Sequence, residues 1–211
     1  FQGSIAGYTV GSNAPVATNV IDKYSYTSQA NATDVGDLIT TGGRQAGHKS
    51  ETHGYASGGD PAGSNIEKYS FASDGNAVDA GYDLSVAKIF GAGASTLTHG
   101  YSAGGASLVG NSTATGDTID KFSYSGSSNA TDVGNLSLQR NRPSGHTSTT
   151  HGYIAGGTND SESTFYNVID KYSFSSNGDA TDVGDLTTTR APEAAGSSST
   201  THGFCAGGYN G

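Results

Sequence analysis

Histidine recurs at one place in the chain, directly before a Gly-Tyr or Gly-Phe pair. Imidazole is a common ligand of Zn²⁺ and, with an ordinary pKa of about 6.5, also a pH-sensitive group. A ring of histidines therefore raises the hypotheses of a metal site and of a pH switch. Zinc needs ligands that converge to about 2.1 Å from one point. Histidines in the turns of different repeats are expected to lie too far apart for this, so we favour a turn-capping role. The recurring histidines are His53, His99, His151 and His202, and only two repeats carry an additional one, His48 and His146.

A carboxylate and a lysine recur with the same regularity. Clustered carboxylates bind hard cations such as Ca²⁺, so Asp182 with Asp185 raises the hypothesis of a calcium site. Asn135 replaces the second of these carboxylates in another repeat, which leaves few ligands. We favour a structural bracket in which lysine and aspartate pair within each repeat, and we predict no metal and no other cofactor. The recurring pairs are Lys23 and Asp34, Lys68 and Asp79, Lys121 and Asp132, and Lys171 and Asp182.

Both sets of residues belong to an internal repeat of about 50 residues. One phrase, His-Gly-Tyr-x-x-Gly-Gly, alternates with a second, Ile-Asp/Glu-Lys-Tyr/Phe. The length of the repeat varies chiefly in the segment after Gly-Gly, which spans 13–20, 60–65, 106–118 and 158–168 in successive copies. Residues present in every copy are expected to build the repeat. A functional site is expected among those that break the pattern.

Each repeat contains four short segments rich in β-favouring residues and separated by turn residues. In the last full copy these segments are 144–149, 152–155, 168–174 and 180–186. Four antiparallel strands per repeat predict a β-propeller blade. We therefore expect a single all-β propeller domain over 1–211, with four full repeats and partial terminal ones. The repeats are approximately 1–41, 42–88, 89–139, 140–189 and the partial 190–211, and at least five blades are expected in the complete protein.

The order of these phrases resembles the kelch motif. Arg140 and Arg142 precede a small polar strand, then Tyr153-Ile-Ala-Gly-Gly157, a variable loop and Val168-Ile-Asp-Lys-Tyr172. The kelch tryptophan is missing, since the chain has no Trp, and the phrase at Asn31–Leu38 stands in its place. The composition of the repeats, rich in Ser, Thr and Gly, is also similar to that of kelch-like repeats in phage virion structural proteins. This resemblance implies a propeller with a binding role and implies no particular chemistry.

All arginines of the chain are predicted to lie on one edge of the propeller, together with the variable loops, and we call this the loop edge. Strands alternate in direction, so the connections after the second and fourth strands of a blade share one edge. Arginine, amides and a few aromatic residues are typical of surfaces that contact proteins or glycans. The alternative is that the arginines bracket neighbouring blades and the loops are merely solvated. The candidate ligand-binding residues are Arg44, Arg140, Arg142, Arg190, Asn159, Asp160, Phe165 and Tyr166.

Composition restricts the class of function. The formal charge of −9 disfavours nucleic acid as a partner, and no apolar run is long enough to insert into a membrane. The single cysteine, Cys205, is expected to be a packed small side chain. We predict a non-enzymatic binding or structural module on a virion or extracellular surface, in contact with a protein or glycan and with neighbouring chains of an assembly. The alternatives are a propeller enzyme, such as a glycosidase or metal-dependent oxidase, and an idealised repeat protein without a ligand.

Overall fold

The computed structural model describes residues 5–13, 15–106, 116–192 and 196–210. Within these ranges every regular element is a β-strand. They contain no helix that is long and apolar enough to cross a membrane. Most of the longest variable segment, 106–118, lies outside the described residues.

The strands form five consecutive antiparallel sheets, and each sheet is built from neighbouring strands of the chain. The first sheet contains β1 (Ala6–Ser12), β2 (Thr18–Ser25) and β3 (Thr33–Asp37). The second contains β4 (Ala46–Lys49), β5 (His53–Ser57), β6 (Gly63–Ser70) and β7 (Val78–Lys88). The third contains β8 (Ala92–Ser95), β9 (His99–Ala103), β10 (Thr118–Ser123) and β11 (Thr131–Asn135). The fourth contains β12 (Ser144–Thr147), β13 (His151–Ala155), β14 (Val168–Ser173) and β15 (Thr181–Asp185), and the fifth β16 (Gly196–Ser198) and β17 (Gly203–Cys205).

The three complete sheets have the strand order of propeller blades, each strand pairing with the next along the chain. In the fourth sheet the observed strands agree with the predicted segments to within two residues at each end. The prediction of an all-β fold of four-stranded antiparallel blades is confirmed. The two terminal sheets are partial, and among the described residues no strand pairing joins them. The number of blades in the complete protein stays a prediction.

The first strands of successive sheets pack against one another, which makes them the innermost strands. A glycine lies at each contact. A Cβ atom added at Gly93 would come within 2.0 Å of the Gly47 carbonyl oxygen, and one at Gly145 within 2.2 Å of the Gly93 carbonyl oxygen. No side chain fits in that space, so glycine at this position allows the inner strands to approach backbone to backbone.

Aromatic residues join each sheet to the next. The tyrosine that follows His-Gly, or Ala-Gly in the first copy, packs against two aromatic rings of the following sheet, one on its third strand and one directly after that strand. Tyr8 lies 5.5 Å from Tyr69 and 5.1 Å from Phe71, measured between ring centroids. The equivalent groups are Tyr55 with Phe122 and Tyr124, and Tyr101 with Tyr172 and Phe174. The repeated tyrosines therefore build the interfaces between sheets.

Candidate functional site at the loop edge

A buried ion pair crosses two of the sheet boundaries. The acidic residue of the Ile-Asp-Lys phrase meets a cation that lies four residues after the leucine of the preceding repeat. Lys88 Nζ lies 3.0 Å from Asp120 Oδ2, and both side chains are buried. Arg140 binds Asp170 in the same way, with neither side chain exposed, and also donates to the carbonyl oxygens of Gly156 and Val168. Arg140 is therefore a buried structural residue, which agrees with the alternative that the arginines bracket neighbouring blades.

At the boundary between the first and second sheets, the buried carboxylate is stabilised without a cation. Gly42 occupies the position of Lys88 and Arg140, and Glu67 occupies that of the aspartate. Glu67 is buried, and its carboxylate accepts hydrogen bonds from the backbone amides of Ile39 and Thr40 at 2.7 and 3.0 Å. The side-chain amide of Asn65 donates a third bond at 2.9 Å. Neutral donors here take the place of the missing cation.

The predicted lysine–aspartate bracket within each repeat is wrong. The recurring aspartate accepts a hydrogen bond from the amide of the glycine two residues later, as Asp182 does from Gly184 at 3.0 Å. Lys23 instead pairs with Asp74 of the next repeat at 2.8 Å. No ion pair between described residues joins the recurring lysines to the recurring aspartates. The described residues also contain no group of three His, Cys, Asp or Glu side chains that could hold a metal ion.

The recurring histidines cap the turn between the first and second strands. His151 shows the arrangement: its Nδ1 lies 2.8 Å from Thr150 Oγ1, and its amide donates to Ser148 Oγ at 3.0 Å. The same two contacts are made around His53, His99 and His202. These contacts agree with a structural role of the histidines in the turn. We call this end of the blades the turn edge.

His48 and His146 have a different role from the turn histidines. His48 is buried on β4, where Nε2 lies 2.8 Å from Ser57 Oγ and Nδ1 lies 3.3 Å from the Ala94 carbonyl oxygen of the next sheet. Burial lowers the pKa of His48 to about 4, so the ring is neutral near pH 7. The His53 ring makes a different contact, with Thr52 Oγ1 at 2.8 Å.

Cys205 lies beside Ser144 and His146, with its Sγ 3.8 Å from His146 Nε2. A cysteine near an oriented histidine is also the arrangement of a nucleophile and its base. However, the His48–Ser57 contact shows that a histidine–serine pair recurs at this place without any cysteine. The arrangement agrees with a packing role for Cys205.

The loop edge contains a row of residues with strained backbone. Arg44, Phe90 and Arg142 each lie six residues after the repeat leucine, and their φ angles are +70°, +58° and +55°. The Phe90 amide donates to the Arg44 carbonyl at 3.0 Å, and the Arg142 amide donates to the Phe90 carbonyl at 3.2 Å. This chain of hydrogen bonds crosses three successive repeats. It holds three residues with bulky side chains in a backbone conformation that such residues rarely adopt.

The side chains of this row form a stack. The Arg142 guanidinium carbon lies 3.7 Å from the centroid of the Phe90 ring, and that of Arg44 lies 4.5 Å from it. Each arginine also binds a carboxylate: Arg44 lies 2.9 Å from Asp60, and Arg142 lies 2.6 Å from Glu162. The hydrogen bond from Arg142 lowers the pKa of Glu162. We call these five residues the Arg–Phe–Arg stack.

The predicted loop residues surround the stack and have different roles. Asn159 Oδ1 accepts from the amides of residues 163 and 164, and Asp160 accepts from the Asn141 side chain at 2.9 Å, so both shape the loop. Phe165 lies edge-on to Tyr209, whose hydroxyl donates to Glu162 at 3.1 Å. Tyr166 contributes backbone hydrogen bonds, including one to the Arg190 amide at 3.1 Å.

The structure thus brings Arg44 and Arg142 together on either side of Phe90 and places Arg140 in the core. Sequence reasoning missed Phe90 and Asp60 as members of the same cluster. The equal spacing of Arg44, Phe90 and Arg142 from the repeat leucine could have revealed the row. In comparisons with known proteins, no family model matches the chain and no curated protein matches it.

Proposed function

We propose that this protein is a non-enzymatic binding or structural module, displayed on a virion or extracellular surface, that contacts a protein or glycan through the Arg–Phe–Arg stack. One observation carries the proposal. In the described residues, all non-glycine residues with positive φ lie on the loop edge: Arg44, Phe90, Arg142 and Glu162.

Backbone strain of this kind costs about 1–3 kcal/mol per residue and is concentrated at functional sites. The repeat does not require it, because Pro192 occupies the same position after Leu186 and proline is restricted to negative φ. The strain therefore accompanies the side chains of this row and not the blade itself. This supports a role for the stack in contact with a partner.

The chemistry of the stack suits a polar partner. Two guanidinium groups offer planar arrays of donors, and the carboxylates of Asp60 and Glu162 offer acceptors beside them. Glu162 is exposed, and the Asp60 and Arg44 side chains retain about a third of their surface, 33% and 37%. Hydroxyl-rich glycans and polar protein surfaces both match alternating donors and acceptors. The kelch resemblance favours the same binding role.

The enzyme alternative has less support. Catalysis by two carboxylates, or by metal ligands, needs residues that are free for the substrate and fixed in geometry. Here the recurring aspartates hold glycine amides, the core carboxylates hold cations or amides, and the turn histidines hold threonine hydroxyls. These groups are already used by the fold.

A panel of immobilised neutral and acidic oligosaccharides, probed with the intact chain, tests the glycan partner. We expect Phe90→Ala and Arg142→Ala to reduce the retained signal at least tenfold, and His99→Ala at the turn edge to leave it unchanged. If the wild-type chain retains no oligosaccharide, the glycan is excluded and the protein partner is tested by cross-linking in the native assembly. Cross-links confined to the turn edge would contradict the proposal.

A further inference from the structure

One face of the fourth sheet is less covered than the equivalent faces of the other sheets. Leu38, Leu84 and Leu136 are buried, with exposures of 2%, 3% and 5%, whereas the equivalent Leu186 is only half-buried. Val183 is 49% exposed, whereas the equivalent Val133 is half-buried. The apolar side chains that normally face the next sheet are therefore partly open here.

Tyr153 shows the same difference in its aromatic contacts. Its counterparts Tyr8, Tyr55 and Tyr101 each pack against two rings of the next sheet, one on the third strand and one directly after it. For Tyr153 the aromatic neighbour among the described residues is His151, in its own strand, at 6.4 Å. A cavity of about 250 Å³ lies in front of it, lined by residues that include Tyr153, Ala155, Ile169, Leu186 and Cys205.

Arg190 repeats the geometry of Arg140 in part. Both lie four residues after the repeat leucine, and Arg190 donates to the Gly207 carbonyl at 3.2 Å, as Arg140 does to the equivalent Gly156 carbonyl. Arg140 also binds the Val168 carbonyl and the Asp170 carboxylate, both on the third strand of its following sheet. Arg190 donates its other described side-chain bond to Thr188 Oγ1 at 2.7 Å, and among the described residues no third strand pairs with β17 to supply the carbonyl and carboxylate that Arg140 binds.

The backbone edge of β17 completes this surface. In the second, third and fourth sheets, the second strand pairs with a neighbour on each side. Among the described residues β17 pairs only with β16, so its other edge presents backbone donors and acceptors. We define the acceptor face as this edge together with Tyr153, Ile169, Leu186 and Arg190.

We propose that the acceptor face binds a β-hairpin with the chemistry of the third and fourth strands of this repeat. Its first strand would pair with β17 and place an isoleucine and two aromatic side chains over the cavity and Tyr153. Its aspartate or glutamate would bind Arg190, as Asp170 binds Arg140. This mode of recognition is β-augmentation: backbone hydrogen bonds attach the strand and alternate side chains give specificity. The proposal is independent of the proposed function, because no residue of the Arg–Phe–Arg stack takes part.

A synthetic peptide with the sequence of residues 167–186 tests the proposal directly, because it contains both strands and the carboxylate of Asp170. Calorimetric titration of the intact chain is expected to show one peptide bound per chain. Replacing the peptide's Asp170 by Ala, or Arg190 of the chain by Ala, should weaken binding at least tenfold. The two changes together should weaken binding little more than either change alone. Arg44→Ala is the matched control and should not alter the affinity.

Two further measurements make the outcome decisive. Arg190 is half-buried, so the melting temperature of Arg190→Ala should match that of the wild-type chain, which separates lost recognition from lost folding. Amide exchange at Gly203–Cys205 should slow when the peptide binds. Failure to bind at the peptide's solubility limit, or binding indifferent to both alanine changes, overturns the proposal. Self-association of the wild-type chain that Arg190→Ala abolishes would also overturn it, since the occupant would then be a second copy.

Discussion

The turn edge and the loop edge of this molecule are built by opposite rules. At the turn edge the same serine or threonine, threonine and histidine contacts recur in four repeats. At the loop edge equivalent positions hold Arg44, Phe90, Arg142 and Pro192, and three of them have strained backbone. Uniform residues serve the architecture, whereas residues that differ between repeats are free to serve recognition. This difference is the reason for placing the candidate site at the loop edge.

The largest expected effect separates two arginines of the loop edge that are two residues apart. Arg140→Ala leaves the Asp170 carboxylate buried without its cation, and should lower the free energy of unfolding by about 3–5 kcal/mol. Arg142→Ala is the matched control and should cost far less, because its partner Glu162 is exposed. Denaturant titration of both variants measures the difference. Equal losses would mean that the loop edge is as structural as the turn edge.

A pH titration compares a core histidine with a turn histidine. In the unfolded chain His48 binds a proton near pH 6.5, whereas in the fold it does so only near pH 4. Its neutral form therefore stabilises the fold above pH 6.5, and this contribution is lost as the pH falls towards 4, to a total of about 3 kcal/mol. The difference in unfolding free energy between wild type and His48→Gln should follow this pH dependence.

His99→Gln is the control for that titration. Burial also lowers the pKa of His99, but its ring is partly exposed at the turn edge, so the pH-dependent difference should be much smaller. A His48 contribution that does not change between pH 6.5 and 4 would contradict the burial argument.

A hydroxyl of the turn edge tests its structural role. Ser148 Oγ accepts from the amides of Thr150 and His151 at 3.3 and 3.0 Å, so Ser148→Ala leaves both amides without this acceptor. We expect a loss of about 1 kcal/mol in unfolding free energy, typical of a lost capping residue. Thr149→Ala, at an exposed neighbouring position, should stay within about 0.5 kcal/mol of wild type. A larger loss of stability in Thr149→Ala than in Ser148→Ala would contradict the structural role of the Ser148 hydroxyl.

The smallest expected effect measures the strain at the loop edge. With φ at +58°, residue 90 favours glycine, so Phe90→Gly should be more stable than Phe90→Ala by about 0.5–1 kcal/mol. At Ser85, in the extended strand β7, the order of the glycine and alanine variants should be reversed. Thermal denaturation of the four variants checks both comparisons. The same order at both sites would mean that residue 90 carries no strain.

The strands were predictable because Gly-Gly and polar turns separate short β-favouring segments. The segment predicted at 168–174 is observed as β14, Val168–Ser173. The roles of the carboxylates were not predictable in the same way. Asp170 and Asp182 lie opposite each other on neighbouring strands, yet only Asp170 turns into the core, and a register shift beside it disrupts the alternation of faces. Sequence spacing does not reveal such a shift.

The candidate site was predictable in part for a related reason. The arginines could be assigned to one edge from strand direction alone. Whether Arg140 or Arg142 faces the core depends on the backbone between them, where φ at Arg142 is +55°. Phe90 was missed because it shares no residue type with the arginines, and only the equal spacing connects them.

The buried carboxylates also restrict how such an array can change its length by recombination. Each ion pair joins residues on the two sides of a repeat boundary. A deletion of one repeat length that places Lys88 opposite Asp170 would therefore still pair a cation with a carboxylate. A deletion that places Gly42 opposite Asp120 would leave a buried carboxylate without its cation, and an aspartate here is expected to bind one amide, as Asp170 binds that of Ser137 at 2.9 Å, where Glu67 binds two. Duplication and loss of units are therefore tolerated at the later boundaries and opposed at the first.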